Sequence, residues 1–318
     1  MIVTLTAHPS LDRTITLDAP LRPGEVQSAI GAREDAGGKG INVSRVVAAA
    51  ALQTLAVLPL AGGDPYAAAL AATGIATRAV PVHGSARANV TITDPEGVTT
   101  KLNLPGAPLT SMDASAVVSA VAEAADGAAW LVLAGSLPPG APDDFYVTVI
   151  EAVRARFGTR APRMAVDTSG AALAAVVERG RPDLIKPNDD ELAELAGEAL
   201  PSGDLPAAVT SVARRLVPGR VSAALVTLGA DGAVLIDAEG AWVAVPPRIR
   251  VASTVGAGDS SLAGYLLADV AGASPEDRLR SAVRYGAAAA SLPGTQAPTP
   301  ADLPSDDVPV TRLSPVSA

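Results

Sequence analysis

The residues with the clearest chemical content are Thr254-Val255-Gly256-Ala257-Gly258-Asp259, which run directly into the helical stretch SSLAGYLLADVAG. Small residues just before a helix let backbone N–H groups converge at its positive end and form an anion site. A carboxylate at that point repels an anion that is merely bound. It is well placed as a base when the anion is a phosphoryl group in transfer and a hydroxyl attacks it. Alone, Asp259 would read as an ordinary helix N-cap.

Other motifs carry polar groups at similar places. Ala36-Gly37-Gly38-Lys39-Gly40-Ile41-Asn42-Val43 is not a Walker A loop, because Gly40 occupies the Ser/Thr position and Arg33 stands where the first Gly belongs. Its glycines permit close backbone approach to a small polyol, with Lys39 and Asn42 as donors; the ordinary alternative is a loop and a helix start. Lys186-Pro187-Asn188-Asp189-Asp190-Glu191 follows the apolar strand DLI and begins a helix. Ligands gather at strand C-termini in open α/β sheets. Asn188 and Glu191 suit a hydrated Mg²⁺, which takes few protein ligands, whereas Asp189 and Asp190 read as first-turn acids. Thr227-Leu228-Gly229-Ala230-Asp231-Gly232 is a strand-end turn with little specificity of its own. Gly135-Ser136-Leu137-Pro138-Pro139-Gly140 is not a nucleophile elbow, since Ala134 takes the first Gly position. His8 and His83 lack metal-ligand spacing or a hydrolase order and read as non-catalytic.

These motifs need a scaffold, and the chain alternates short β-branched runs with Ala-rich helical stretches. That predicts an α/β fold with a doubly wound, mostly parallel sheet. Strands are expected at 2–7, 55–60, 130–135, 163–167, 183–187 and 223–229, with helices at 41–52, 114–125, 143–157, 171–180, 190–197 and within 205–217. Residues 12–35 and 86–104 alternate polar and apolar with period two, and the second turns at Asp94-Pro95-Glu96-Gly97. They predict one small inserted β-sheet lid over a core made of 1–11, 36–85 and 105–318. Residues 232–251 read as a meander at the sheet edge, and the proline-rich last twenty or so as extended chain.

Composition narrows the classes. The 318 residues are 48% hydrophobic and 18% charged, enough apolar surface for a substantial core. Zero cysteine excludes disulfides, thiol catalysis and Cys-ligated zinc. A net charge of −9 argues against nucleic acid as a partner. No signal peptide or bilayer-spanning stretch is read, so no membrane association and a cytoplasmic location are expected. Only three of the 24 basic residues are Lys: Lys39, Lys101 and Lys186. Each lies beside Gly, Pro or Asn, in the motifs GGKG, TTKLN and IKPN.

Taken together, PSLD (9–12), GGKGIN (37–42), KPNDDEL (186–192), TLGADG (227–232) and TVGAGD (254–259) resemble the ribokinase-like carbohydrate kinases, the phosphofructokinase B family. The resemblance covers nearly the whole chain and implies a Rossmann-like domain with a β lid. It implies Asp259 as catalytic base and Gly256, Ala257 and Gly258 as anion hole. Lys186, Asn188, Glu191, Thr227, Gly229 and Gly232 would lie on the ATP–Mg²⁺ side, with Glu191 and Asn188 holding Mg²⁺ through water. Asp12, Gly37, Gly38, Lys39 and Asn42 would bind the sugar. Arg87 and Asn89, facing Lys101 and Asn103, look like the pattern of members that take a sugar phosphate; otherwise Arg87 and Lys101 are charges that protect an edge strand. TKLNLPG, GSLPPG and VDTSG are most similar to the bacterial 1-phosphofructokinase branch, which implies fructose 1-phosphate as acceptor. Tagatose-6-phosphate kinases share nearly all of these features, and a 6-phosphofructokinase is a further alternative. Two departures lie near the sugar site: His8 replaces the usual Asn, and Leu104 an acidic residue often found before Pro-Gly. Members often form homodimers through the lid. A sugar-phosphate sensor without turnover is the alternative from another class, and the intact GAGD argues against it.

Overall fold

The computed structural model describes residues 1–313. After β1 (Ile2–Thr6) the chain leaves the core for two antiparallel strands, β2 (Ser10–Leu17) and β3 (Ala29–Gly37). It returns through α1 (Lys39–Ala49), β4 (Thr54–Leu60), α2 (Tyr66–Ala72) and β5 (Thr77–Pro81). A hairpin, β6 (Arg87–Thr93) and β7 (Thr99–Asn103), departs a second time. The core then continues with α3 (Ser111–Ala124), β8 (Trp130–Ala134), α4 (Phe145–Phe157), β9 (Arg163–Asp167) and α5 (Gly170–Ala175). Next come β10 (Leu184–Ile185), α6 (Asp189–Ala196), α7 (Leu205–Ala213) and β11 (Ala223–Thr227). The chain closes with β12 (Ala233–Ile236), β13 (Ala241–Ala244), α8 (Ala257–Val270), α9 (Pro275–Ser291) and β14 (Val310–Arg312).

Ten strands make the main sheet, in the order β14-β13-β12-β11-β10-β9-β8-β1-β4-β5. From β11 to β5 every pair is parallel; the three pairs on the other side are antiparallel. The central strands IVTLT and WLVLA are buried at every residue, as a sheet covered on both faces requires. Alternate side chains divide between two cores. Ile2 and Val132 pack with Val43 of α1, Leu262 of α8 and Leu279 of α9. Val3 and Leu131 pack with Val117 of α3 and Ile150 of α4 on the opposite face. The order reverses at β1, whose neighbours are β4 on one side and β8 on the other. Such a switch point leaves a crevice at the strand C-termini, where ligands bind.

The lid is a separate four-stranded sheet, β3-β2-β6-β7. Its middle pair, β2 with β6, is parallel, because each strand belongs to a different excursion of the chain. Register places Asp12 beside Asn89 and Asn89 opposite Asn103. With period-two alternation, Ser10, Asp12, Arg87, Asn89, Lys101 and Asn103 share one face, and Ile15, Val90, Ile92 and Leu102 the other. Side chains fasten the lid to the core at its necks. The Asp64 carboxylate accepts from the Ala86 and Tyr66 amides at 2.7 and 2.8 Å, and the Tyr66 hydroxyl donates to the Gly37 carbonyl at 2.9 Å.

Three details differ from the sequence expectation. The meander β12–β13 is not the edge: β14, from the proline-rich tail, pairs outside it. The remainder of that tail, 314–318, lies outside the described residues. The helix expected at 171–180 is α-helical only to Ala175 and ends in a wider turn over Val176–Gly180. The strand expected at 183–187 pairs only at Leu184 and Ile185, freeing Lys186 to turn into the crevice.

Candidate active site

At the crevice, Asp167 ends β9 and is fully buried. Its Oδ1 accepts from Lys39 Nζ at 2.7 Å, and its Oδ2 lies 3.2 Å from Lys186 Nζ. Lys39 opens α1, and Lys186 follows β10. Asp259, in the first turn of α8, accepts from Asn42 Nδ2 at 2.8 Å. Lys186 also reaches the anion loop, since a Cβ built on Gly258 would stand 3.3 Å from its Nζ. Three motifs far apart in sequence thus meet around two carboxylates and two ammonium groups.

Electrostatics separates the two carboxylates. Burial alone would raise Asp167, but the charges of Lys186 and Lys39 outweigh it and hold Asp167 below its usual range. Asp259 goes the other way. Burial, reinforced by the Asp167 charge, pushes it up to about 6, against the opposing pull of Lys39, Asn42 and Lys186. Burial works against the Lys39 ammonium, yet Asp167 and Asp259 hold it above the ordinary lysine value. The two carboxylates are thus pushed apart, Asp167 toward the anion and Asp259 toward the protonated form, a separation that suits distinct roles in proton transfer.

The loop opening α8 presents backbone donors. Gly256 takes the left-handed conformation, φ 78°, at the N-cap of α8. The Ala257 amide is partly used, donating to the Thr254 carbonyl at 3.3 Å. Among the described residues, no intramolecular acceptor takes the Gly256 or Gly258 amide.

On the lid side, Asp12 accepts from Ser10 Oγ and Asn89 Nδ2, both at 2.9 Å. Its carboxyl is raised by burial. A Cβ on Gly37 would fall 2.1 Å from that carboxylate, and one on Gly38, at φ 122°, 2.5 Å from Thr6 Cγ2. Only glycines let β3 turn into α1 this close to both groups. Arg87, paired with Ser10 in register, is half-buried at the inner end of the same face. Lys101 is not beside it. It stands opposite Thr91, toward the outer end of the hairpin, and is exposed. Asn103 is brought opposite Asn89 but is also exposed. His8 lies in the neck, with Nε2 donating to the Pro105 carbonyl at 3.0 Å, and burial and the Arg87 charge lower its pKa. Leu104 is 47% exposed.

On the far side, Asn188 caps α6 and forms a reciprocal pair with Glu191: Glu191 N donates to Asn188 Oδ1 at 2.7 Å, and Asn188 N to Glu191 Oε2 at 2.9 Å. Both are therefore helix-start residues, and Glu191 Oε1 stays outside the pair. Thr227 bridges to Asn188 across the strand ends. Gly229 has open space around its Cα, whereas a Cβ on Gly232 would strike the Ala244 carbonyl at 2.0 Å, so packing of the meander already demands that glycine.

Sequence reasoning missed Asp167, Thr6 and Thr168. Asp167 ends an apolar strand, a placement that marks ligand sites in such folds. Thr6 Oγ1, Thr168 Oγ1, Asn42 Oδ1, Asn89 Oδ1 and Arg87 Nε are buried without hydrogen-bond partners. Each such group costs about 1–3 kcal/mol. Their clustering at this crevice marks a pocket suited to a polar ligand.

The raised Asp259 has a consequence for stability. Folding favours its protonated form, so its contribution is full below the ordinary value of 3.8 and lost as pH rises through about 6. Asp259→Asn should therefore stabilise the protein at pH 7.5 by on the order of 1–3 kcal/mol. The gain should shrink at pH 4, measured by urea unfolding. A variant no more stable than the parent at pH 7.5 would contradict the buried, unfavourable charge.

Comparison with known proteins agrees with this geometry. The profile described as pfkB family carbohydrate kinase matches residues 9–302. The 1-phosphofructokinase of Rhodobacter capsulatus is 35% identical over 308 residues, covering 94% of this chain and 93% of that protein. The ATP-dependent 6-phosphofructokinase isozyme 2 of Escherichia coli (strain K12) is 33% identical over 300 residues, covering 93% and 94%. The crystal structure of phosphofructokinase-2 from Escherichia coli in complex with substrates and products matches with a TM-score of 0.85 at 31% identity, over 95% of this chain and 96% of that one. On this fold, with a matching profile over residues 9–302 and relatives 33–35% identical over nearly the whole chain, the chain belongs to the pfkB family of carbohydrate kinases, enzymes that transfer a phosphoryl group to a sugar hydroxyl.

Proposed function

We propose that this protein is an ATP-dependent 1-phosphofructokinase, converting fructose 1-phosphate to fructose 1,6-bisphosphate. The carrying observation is the setting of Asp259, a buried carboxylate that is ionised at neutral pH and stands beside the anion loop. In this reading the lid (12–35 and 86–104) closes over a core of 1–11, 36–85 and 105–318. Asp12, Gly37, Gly38, Lys39, Asn42, Asn89 and Asn103 hold the sugar. Asp259 accepts the proton of the primary hydroxyl as that oxygen bonds to the transferring phosphorus. The amides of Gly256, Ala257 and Gly258 stabilise the charge that develops there, with Lys186 beside them. Lys186, Asn188, Glu191, Thr227, Gly229 and Gly232 line the nucleotide side.

The donor set fits Mg²⁺ carried with the nucleotide. Glu191 keeps a free carboxylate oxygen, and Mg²⁺ binds through one or two carboxylates plus substrate phosphates rather than an all-protein cage. When bound, the ion neutralises phosphate oxygens; Glu191 and Asn188 would hold it through water.

The acceptor class rests on Arg87, a half-buried guanidinium on the face of Asp12, and on the relatives named 1-phosphofructokinase. A second reading, a 6-phosphofructokinase, is favoured by the similarity to isozyme 2 of Escherichia coli. Apolar exposure on the opposite face of the lid supports a homodimer through the lid: Leu102 is 54% exposed there, beside Val90. A cytoplasmic location, where ATP is made and used, completes the proposal.

An ADP-release assay with ATP–Mg²⁺ should give the highest kcat/KM with fructose 1-phosphate. A preference for fructose 6-phosphate or tagatose 6-phosphate would replace this acceptor, and no turnover with any would favour a sensor. Asp259→Asn should lower kcat by roughly 10²–10⁴-fold.

Charge-assisted hydrogen bonds to phosphate are worth about 1.5–3 kcal/mol. Arg87→Ala should thus reduce kcat/KM for the sugar phosphate by about 10- to 100-fold and leave feeble activity on unphosphorylated fructose unchanged. Lys101→Ala should cost less, because an exposed charge is screened. Equal losses on both sugars would make Arg87 a mere brace of the lid.

Leu102→Asp should convert the dimer to monomer in sedimentation velocity. An unaltered sedimentation coefficient would remove the lid from the interface.

A further inference from the structure

The chain has only two tryptophans, and both do the same thing. Trp130, at the start of β8, donates its indole N–H to Asp269 Oδ2 at 2.8 Å. Trp242, in β13, donates to Glu276 Oε1 at 2.8 Å. Asp269 lies in the last turn of α8 and Glu276 in the first turn of α9, so the two indoles grip either side of the turn between these helices. An arginine covers each ring: Arg163 at 4.4 Å from the Trp130 centroid, Arg312 at 5.6 Å from that of Trp242. Asp269 is the more heavily bonded acid. Its side chain is 1% exposed, accepts from Arg163 as well as Trp130, and lies 3.2 Å from Arg278 Nε.

A carboxylate at the C-terminal end of a helix opposes the helix dipole. It also stands far from the chemistry, ten residues or about 15 Å along α8 from Asp259. Its burial there calls for a reason other than local helix stability. The two helices are locked to each other: Gly264 and Gly286 bring them so close that Cβ atoms would fall 2.7 Å from the Ser281 carbonyl and 2.3 Å from Ser261 Oγ. Against the sheet, by contrast, α8 presents mainly apolar groups such as Leu262 and Leu266. Apolar burial is not directional and does not fix where a helix stops along its axis. Directional bonds do. At the opposite end Asp259 accepts from Asn42, and the Ala290 carbonyl of α9 accepts from the Ala252 and Ser253 amides of the segment leading into α8.

We infer that Asp269 is a positioning residue for phosphoryl transfer. Held by Trp130 and Arg163, it sets how far α8 projects toward the crevice, and with it the place of Asp259 and the anion loop. The inference rests on the kinase reading above. Sugar-binding groups sit on the lid and α1, so a small withdrawal of α8 should spare sugar binding and damage the chemical step. A misplacement of about 1 Å costs on the order of 10²-fold.

The test compares Asp269→Asn with Trp130→Phe, which keeps an aromatic ring beneath Arg163 but removes the indole N–H together with part of the ring, at a temperature where circular dichroism shows the variant folded. Asp269→Asn should lower kcat by about 10- to 100-fold with the sugar KM within about threefold of the parent; Trp130→Phe should follow in the same direction, by less. A readout independent of turnover is the carboxyl ¹³C titration of Asp259, which in the parent should centre near pH 6. It should move toward the ordinary aspartate value as α8 retreats and water reaches the carboxylate. If Asp269→Asn does not fold, Trp130→Phe alone decides. Unchanged kcat and an unmoved Asp259 titration, with only a lower melting temperature, would overturn the inference and leave the cluster a stabilising knot. A parent without kinase turnover would fail the kinase reading instead, while the titration would still report on α8.

Discussion

The site is organised by a single ion cluster, the buried Asp167 carboxylate held between a partly exposed Lys39 and a buried Lys186. Removing these charges from water is costly, and attraction repays that only with good geometry and further hydrogen bonds. The fold must therefore bring the end of β9, the start of α1 and the turn after β10 to within hydrogen-bonding distance. The reversal of strand order beside β1 makes this possible, because it opens a crevice where three strand ends and two helix starts converge. The cluster in turn governs Asp259. Burial raises its proton affinity, the Asp167 charge adds to the rise, and two ammonium groups keep it moderate.

The lid obeys a different constraint. A four-stranded sheet with one polar face has little core of its own, so it depends on its necks. Asp64, Tyr66 and His8 fasten these to the core through backbone amides and carbonyls. Such bonds hold position without adding bulk, and Asp12, Asn89 and Arg87 share one polar face of the lid. Stability and function pull apart here. The crevice keeps several polar atoms unpaired, a burden borne by two apolar cores on either side of the main sheet.

Much of this was legible in the chain. Periodicity separated the parallel core from the twice-inserted lid, because apolar runs buried on both faces look unlike alternating strands. Glycines beside Lys39 and Asp259 marked loops where the backbone packs closely, turns sharply or leaves amides unbonded. The scarcity of lysine singled out Lys39 and Lys186, which do converge. It also singled out Lys101, which lies apart on the lid, and no local pattern distinguishes the two outcomes. The alternatives of helix cap and ligand for Asn188 and Glu191 could not be separated either, since one capping geometry serves both.

Tertiary structure decided what depends on distance through space. Asp167 is 128 residues from Lys39, and nothing in RMAVD foretells its partners. The proline-rich tail reads as extended chain, and only the open edge of β13 makes Val310–Arg312 a strand. The pairing of Trp130 with Asp269, 139 residues apart, is likewise invisible in the chain. Sequence by itself determined most of the core strands, the lid and the small-residue helix start that carries Asp259, because those follow from local periodicity and from residue types beside helix starts. The raised pKa of Asp259, the burial of Asp167 and Lys186 beside it and the placement of α8 emerged only on folding, because they are set by charges and directional bonds between segments remote in the chain.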